Sequence, residues 1–175
     1  MIELRPGDYF CVYTDTWLAK LIMAAQRVKA LDDHVAYNHA GIIVSGDGRT
    51  YEALMKIEHA HIKDYEGCEI LIARHRAMTP ELFDMGYGQV LKWNRTIYPW
   101  WRLLLHLTGL AVILHIAKIP VCSELAVEHL HHCGLIGHDG YGWNPDHFAD
   151  MLVNYKDFEI IYEDKFRYAE VGRLP

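Results

Sequence analysis

The feature that most restricts the fold is the run "HAGIIVSGDGRTYEALM", residues 39–55, which reads as two β-like halves around a Gly-rich turn. Strand side chains alternate between faces, so a two-residue turn at Gly46-Asp47 fixes the pairing of everything on either side. In that register Ser45 pairs with Gly48, Gly41 with Glu52, and His39 with Leu54. His39 and Glu52 then project from one face, a diagonal step apart and within reach of a long side chain. A slip of one residue would put them on opposite faces.

Around this hairpin the chain alternates in character. "RPGDYFCVYT" turns at Pro6-Gly7-Asp8 and runs into an apolar and aromatic strand, and "CEILIARHR" reads as a further strand with Ile70 and Ile72 on one face. Between them, "DTWLAKLIMAAQRVKA" has a cap candidate at Asp15 and apolar Leu18, Leu21, Ile22 and Ala25 at helical spacing. "TPELFDMGYGQVLKWN" predicts a helix capped by Thr79, with Pro80 at its first position and Glu81 in its first turn. A helix opening at Cys122, a short helix at Pro145 and a last strand in "DFEIIYED" complete the order. The fold class is α+β, with an antiparallel sheet in the first half and helices concentrated in the second. With 175 residues, no repeat and no linker, the expectation is one domain over 1–175, carrying an apolar helical insert at about 79–119.

That insert contains "LLLHLTGLAVILHIAKI", residues 103–119, almost wholly apolar. His106, Gly109, His115 and Lys118 interrupt it and Pro120 ends it, so it falls short of the roughly 20 clean residues of a spanning helix. A buried or partly lipid-facing helix pair is expected, with peripheral membrane or lipid contact through 98–119. The net charge of −6, without any long Lys/Arg block, argues against nucleic acid as a partner. Four scattered cysteines without a CxxC pair argue against a disulfide framework. The N-terminal "MIELRPGDYF" has no charged-then-apolar leader, so the expected compartment is the cytoplasm. A role at the cell wall would then need release by lysis, carriage in a virion or another export route.

Chemistry concentrates at "IPVCSELAVEHLHHCG", residues 119–134. On this helix Leu125, Ala126, His129, Leu130 and Cys133 share a side with Cys122, while Glu124, Glu128, His131 and His132 lie on the other. Cys122 in the first turn meets unpaired N–H groups and the positive end of the helix dipole, which favour a thiolate and could cradle an oxyanion. The plain alternative is packing, because free cysteine is among the most buried residue types. Cys11, Cys68 and Cys133 read as mid-strand or mid-helix packing residues. If the hairpin register holds, His39 supplies a base for the thiol and Glu52 a carboxylate to fix its tautomer. A competing arrangement sets His129 and Cys133, four residues apart, around a zinc ion, though no HExxH accompanies them.

Taken together, "RPGDYF", "NHAGIIV" with "YEAL", "VCSELAVEHL" and "NPDHFAD" resemble the circularly permuted papain-like hydrolases related to NlpC, of the YiiX/YaeF-type branch. The likeness runs from about Leu4 to about Leu152 and is weakest between Thr79 and Ile119. It implies a small antiparallel, partly closed sheet packed against the cysteine-bearing helix. It also implies Cys122 as nucleophile, His39 as base and Glu52 as the orienting residue, with His59 and His61 as substitutes in that third role. Gly7 and Asp8 would shape the loop into the first strand. The implied activity is that of a cysteine hydrolase cleaving an amide in a peptide or cell-wall peptide, with no metal or organic cofactor. Alternatives are a thiol acyl-hydrolase or acyltransferase on lipid esters or amides, and a non-catalytic binding module of the same fold engaging a partner through Tyr98 to Leu105.

Overall fold

The structure, a computed structural model, describes residues 2–15, 36–97, 119–138 and 142–172. The predicted helix after Asp15, the aromatic cluster "YPWW" and the apolar run after it lie outside the described residues. Among the described residues six strands form a single sheet in the order β4-β3-β2-β1-β5-β6, and every neighbouring pair is antiparallel. They are β1 (Asp8–Val12), β2 (His39–Ile43), β3 (Arg49–Ala53), β4 (Ile57–His61), β5 (Glu69–His75) and β6 (Phe158–Lys165). The described helices are α1 (Pro80–Val90), α2 (Cys122–His132) and α3 (Pro145–Asn154).

The hairpin has the register its turn dictates. Gly41 stands opposite Glu52, Ile42 opposite Tyr51 and Ile43 opposite Thr50. The Gly48 N–H donates to the Ser45 carbonyl at 3.0 Å to close the turn. β4 has no counterpart in the sequence reading, for a physical reason. It is an edge strand, "IEHAH", in which only Ile57 is buried, so it shows no apolar alternation and owes its conformation to pairing with β3. The central strands β1 and β2 are buried at every residue, which explains their near-continuous apolar character.

The two faces of the sheet have different partners. Tyr9, Cys11, Ala40, Ile42, Leu71 and Ala73 point to the helices and pack on Ala126, Val127 and Leu130 of α2 and on Phe148 and Leu152 of α3. Phe10, Val12, Ile43, Ile70 and Ile72 point the other way, against Leu4, Ile62, Tyr65 and Phe166. No described helix of more than one turn covers that second face; residues from the segments flanking the strands, Leu4, Ile62, Tyr65 and Phe166, pack on it. At their margins the His61 ring, ending β4, meets the Tyr168 ring, just beyond β6, at 5.3 Å between centroids.

Capping places the helices. Thr79 Oγ1 accepts from the Leu82 N–H and Asn144 Oδ1 from the His147 N–H, each just before a proline at the first helical position. α1 packs tightly on α2 at Gly86, where a Cβ would stand 2.5 Å from Cys133 Sγ and 2.9 Å from the His129 carbonyl. Two sequence expectations need correction on α2 and β5. Glu124, expected on the outer side of its helix, is 3 % exposed because its carboxylate accepts the N–H groups of Val121 (3.0 Å) and Gly142 (2.8 Å), tying together the segments that flank the helix start. Cys68 and Cys133 sit beside their elements, Cys68 in the bend before β5 and Cys133 just past the end of α2.

Candidate active site

β2 begins at His39, and that end of the strand is anchored. The Asn38 amide donates to the Thr14 carbonyl at 2.8 Å and its Oδ1 accepts from the Thr14 N–H at 3.0 Å, locking the start of β2 to the chain leaving β1. From this fixed end the His39 Nε2–H donates to Glu52 Oε2 at 2.5 Å. The Cys122 side chain lies close enough to the imidazole to help raise its basicity. With Nε2 taken by the carboxylate, Nδ1 is the nitrogen left for the thiol. Cys122, His39 and Glu52 are 3 %, 5 % and 0 % exposed, so the three groups interact with little screening by water.

The structure therefore brings the three sequence-predicted residues together. Alternation along β2 and β3 puts His39, Gly41 and Glu52 on the side of Phe10 and Tyr65, away from the helices, while Ala40, Ile42 and Tyr51 face α2. Cys122 meets the imidazole because His39 is the terminal residue of its strand and α2 starts at that end of the sheet. Gly41 makes room for the pair: a Cβ there would lie 2.6 Å from the Phe10 ring and 3.1 Å from Glu52 Cβ. His59 and His61 do not reach the imidazole. His59 bonds the Tyr87 hydroxyl, and His61 accepts the Lys63 N–H to cap a short 3-10 turn.

Charge is distributed accordingly. Burial alone would depress the basicity of His39, yet hydrogen bonds to Cys122 and Glu52 and their negative charges raise its pKa to about 10. Burial would raise the pKa of Glu52, and hydrogen bonds from His39, Thr50 and Tyr65 together with the imidazolium charge outweigh it, holding the carboxyl below its usual range. The arrangement thus favours a charged imidazole beside the Glu52 carboxylate.

Three contributors were not anticipated. Thr50 Oγ1 donates to Glu52 Oε1 at 2.5 Å, and the Tyr65 hydroxyl donates to Oε2. Phe10 closes the box, its ring 6.1 Å from that of His39 and 5.5 Å from that of Tyr65. Thr50 carries a legible signal, lying two residues before Glu52 on the same strand face. Tyr65 carries none, because it arrives from a 3-10 turn beyond β4.

The second candidate pair differs. His129 and Cys133 do meet, but Sγ is 3.8 Å from both ring nitrogens and so lies along neither lone-pair direction. Among the described residues no group of three or more His, Cys, Asp and Glu is placed to hold a metal ion. No described helix is long and apolar enough to cross a membrane.

No protein-family model matches the chain, and no curated protein matches it. Among solved structures it is similar to the metalloprotein yiiX from Escherichia coli O157:H7, DUF1105, with a TM-score of 0.61 and 11 % identity over 93 % of this chain and 98 % of that one. At that identity the likeness is one of fold, shared along nearly the whole length of both proteins. It agrees with the YiiX-type resemblance carried by the sequence motifs. The donor set of this chain, as far as it is described, offers no cluster matching the metal in that protein's name.

Proposed function

We propose that the chain is a cysteine hydrolase of the permuted papain-like, NlpC-related kind, cleaving an amide in a peptide or cell-wall peptide through Cys122, His39 and Glu52. The observation that carries this reading is a buried imidazole that bonds an ionised carboxylate through Nε2 and has the Cys122 side chain beside it. His39 Nδ1 takes the proton of Cys122, and the sulfur attacks the carbonyl carbon of the amide. The N–H groups in the first turn of α2, that of Cys122 included, have no intrahelical acceptor and can donate to the oxyanion. Collapse of the tetrahedral adduct breaks the C–N bond, and His39 returns the proton to the leaving amine. The acyl group now sits on sulfur as a thioester. His39 then removes a proton from water, the hydroxide attacks the thioester, and release of the acid regenerates the thiol. Glu52 holds the ring in the tautomer with the proton on Nε2 and stabilises the imidazolium at each transfer.

A second reading, a thiol acyl-hydrolase or acyltransferase on lipid esters or amides, draws on one observation. Leu54, Met55 and Ile97 are 41 %, 65 % and 69 % exposed. The hairpin register carries Leu54 and Met55 to the end of the sheet where His39 stands, and Lys56 bridges to Ile97 there. An apolar rim of this kind suits an acyl chain.

Mass spectrometry of the wild-type protein incubated with peptide and with acyl-lipid substrates tests both. A covalent acyl adduct on residue 122 that fails to form in His39→Ala supports the hydrolase, and the substrate that forms it separates the two readings. Equal and slow iodoacetamide labelling of all four cysteines, with no adduct from either class, would leave a non-catalytic binding module.

A further inference from the structure

Glu52 has no solvent contact, and its two oxygens receive three side-chain donors. His39 Nε2 and the Tyr65 hydroxyl converge on Oε2, and the Thr50 hydroxyl occupies Oε1. A hydroxyl facing an ionised carboxylate can only donate, so the direction of both hydroxyl bonds is settled by charge. Each is charge-assisted and lies in a water-poor site, where such bonds are strongest. The Tyr65 ring has little freedom to leave. It is packed among Phe10, Ile62 and Phe166, and its centroid is 5.9 Å from that of His39.

We propose that Tyr65 and Thr50 are positioning residues for the thiol–imidazole pair, acting through Glu52: their hydroxyls keep the buried carboxylate ionised and aimed, so that the proton it shares with His39 stays on Nε2. This rests on the reading of His39 as the base, and it extends the site from three residues to five. Without the two hydroxyls the carboxylate would have His39 as its one side-chain donor in a dry environment. It would then hold a proton of its own at a higher pH, and a protonated carboxyl no longer favours an imidazolium beside it. Tyr65 should matter more than Thr50. It shares an oxygen with the imidazole and abuts its ring, whereas Thr50 bonds the far oxygen.

The test is a titration that needs no substrate. In the full chain labelled with carboxyl-13C glutamate and ring-15N histidine, the Glu52 midpoint and the His39 ring signals are followed against pH in wild type, Tyr65→Phe, Thr50→Val and Thr50→Ser. Tyr65→Phe should raise the Glu52 midpoint by about one pH unit, the scale expected for one lost hydrogen bond to a charged group. Thr50→Val should raise it by less, and Thr50→Ser, which keeps the hydroxyl, should restore the wild-type value. Thr50→Val changes no ring packing, so it separates the hydroxyl's role from any unfolding caused at residue 65. Midpoints and His39 signals that stay at wild-type values in both Tyr65→Phe and Thr50→Val would overturn the proposal. The readout is independent of catalysis: shifted midpoints in a protein that hydrolyses nothing would retain the clamp and discard the hydrolase.

Discussion

Helix α2 has a cysteine and a histidine at each end, and the two pairs have opposite characters. At its start Cys122 meets His39, whose pKa is raised to about 10. At its end Cys133 lies against His129, whose pKa burial lowers to about 4, while burial pushes the Cys133 thiol up to about 11. Both pairs are buried, so burial does not decide between them. What differs is a carboxylate. Glu52 compensates an imidazolium at the first site, whereas His129 is satisfied as a neutral ring, accepting the Tyr9 hydroxyl on Nδ1 at 2.6 Å. The helix dipole adds to the contrast, positive at Cys122 and negative at Cys133. A thiol beside an imidazole becomes a candidate nucleophile through the third group and the helix end, not through proximity.

The largest effect expected from this contrast is in reactivity. Cys122→Ser should lower hydrolysis by at least about 1000-fold, while Cys133→Ser leaves it within a few-fold of wild type. Iodoacetamide at pH 6 should label Cys122 well before the other three cysteines, and His39→Ala should slow that labelling by about 100-fold. Mass-spectrometric time courses of labelling at each cysteine check both, and similar labelling of Cys122 and Cys133 would erase the distinction.

Glu52→Gln should make the first pair resemble the second. Without the carboxylate's charge the His39 ring, whose pKa is raised to about 10, should titrate at least about one pH unit closer to the ordinary histidine value near 6.5, as ring NMR signals followed against pH would show. The sign for stability follows from the same groups. A histidine whose folded pKa is raised stabilises the fold fully below about 6.5 and loses that contribution as pH rises through about 10. Glu52, whose folded pKa is lowered, contributes above its ordinary value and loses this as pH falls through the depressed one. The melting temperature of wild type should therefore exceed that of Glu52→Gln most between roughly pH 5 and 6.5 and by less as pH rises toward 10, and thermal melts across that range check it.

His129 gives the reverse slope. Its folded pKa lies below the unfolded one, so the unfolded chain takes up its proton first and stability falls as pH drops from about 6.5 to about 4. The contribution is about 3 kcal/mol at full effect. His129→Gln, which keeps an acceptor for Tyr9, should flatten that part of the curve while Cys122 labelling is unchanged. Urea denaturation at pH 7 and pH 4 measures the difference.

How much of this was legible in the sequence follows from where each constraint resides. The hairpin carries its own register in Gly46-Asp47, so the juxtaposition of His39 and Glu52 could be read from local spacing alone. Thr79-Pro80 and Asn144-Pro145 likewise announce their helices through capping chemistry. Elements held only by distant partners left no such mark. β4 is a strand because β3 pairs with it, and Tyr65 reaches Glu52 across that unread strand. Glu124 misled for a related reason: helical periodicity assigns a glutamate to the solvent face, yet its partners are backbone N–H groups on either side of the helix start, which no periodicity encodes. Periodicity groups residues by side but does not say which side a helix will cover.

The smallest expected effect concerns how the inert pair is held. Gly86 of α1 touches Cys133 Sγ and the His129 carbonyl, and a methyl group there would stand 2.5 Å from the sulfur, inside any real Cβ contact. Alanine favours a helix interior by up to about 1 kcal/mol over glycine, whereas overpacking a tight contact costs about 1–3 kcal/mol. The steric term wins because one of the two contacts is backbone, which cannot rotate away. Gly86→Ala should therefore lower stability by about 1 kcal/mol and Gly86→Leu by more, with iodoacetamide labelling of Cys122 unaltered in each. If Gly86→Ala instead stabilised the protein and exposed Cys133 to alkylation, α1 would be free to shift on α2, and the second pair would be inert through chemistry alone and not through packing.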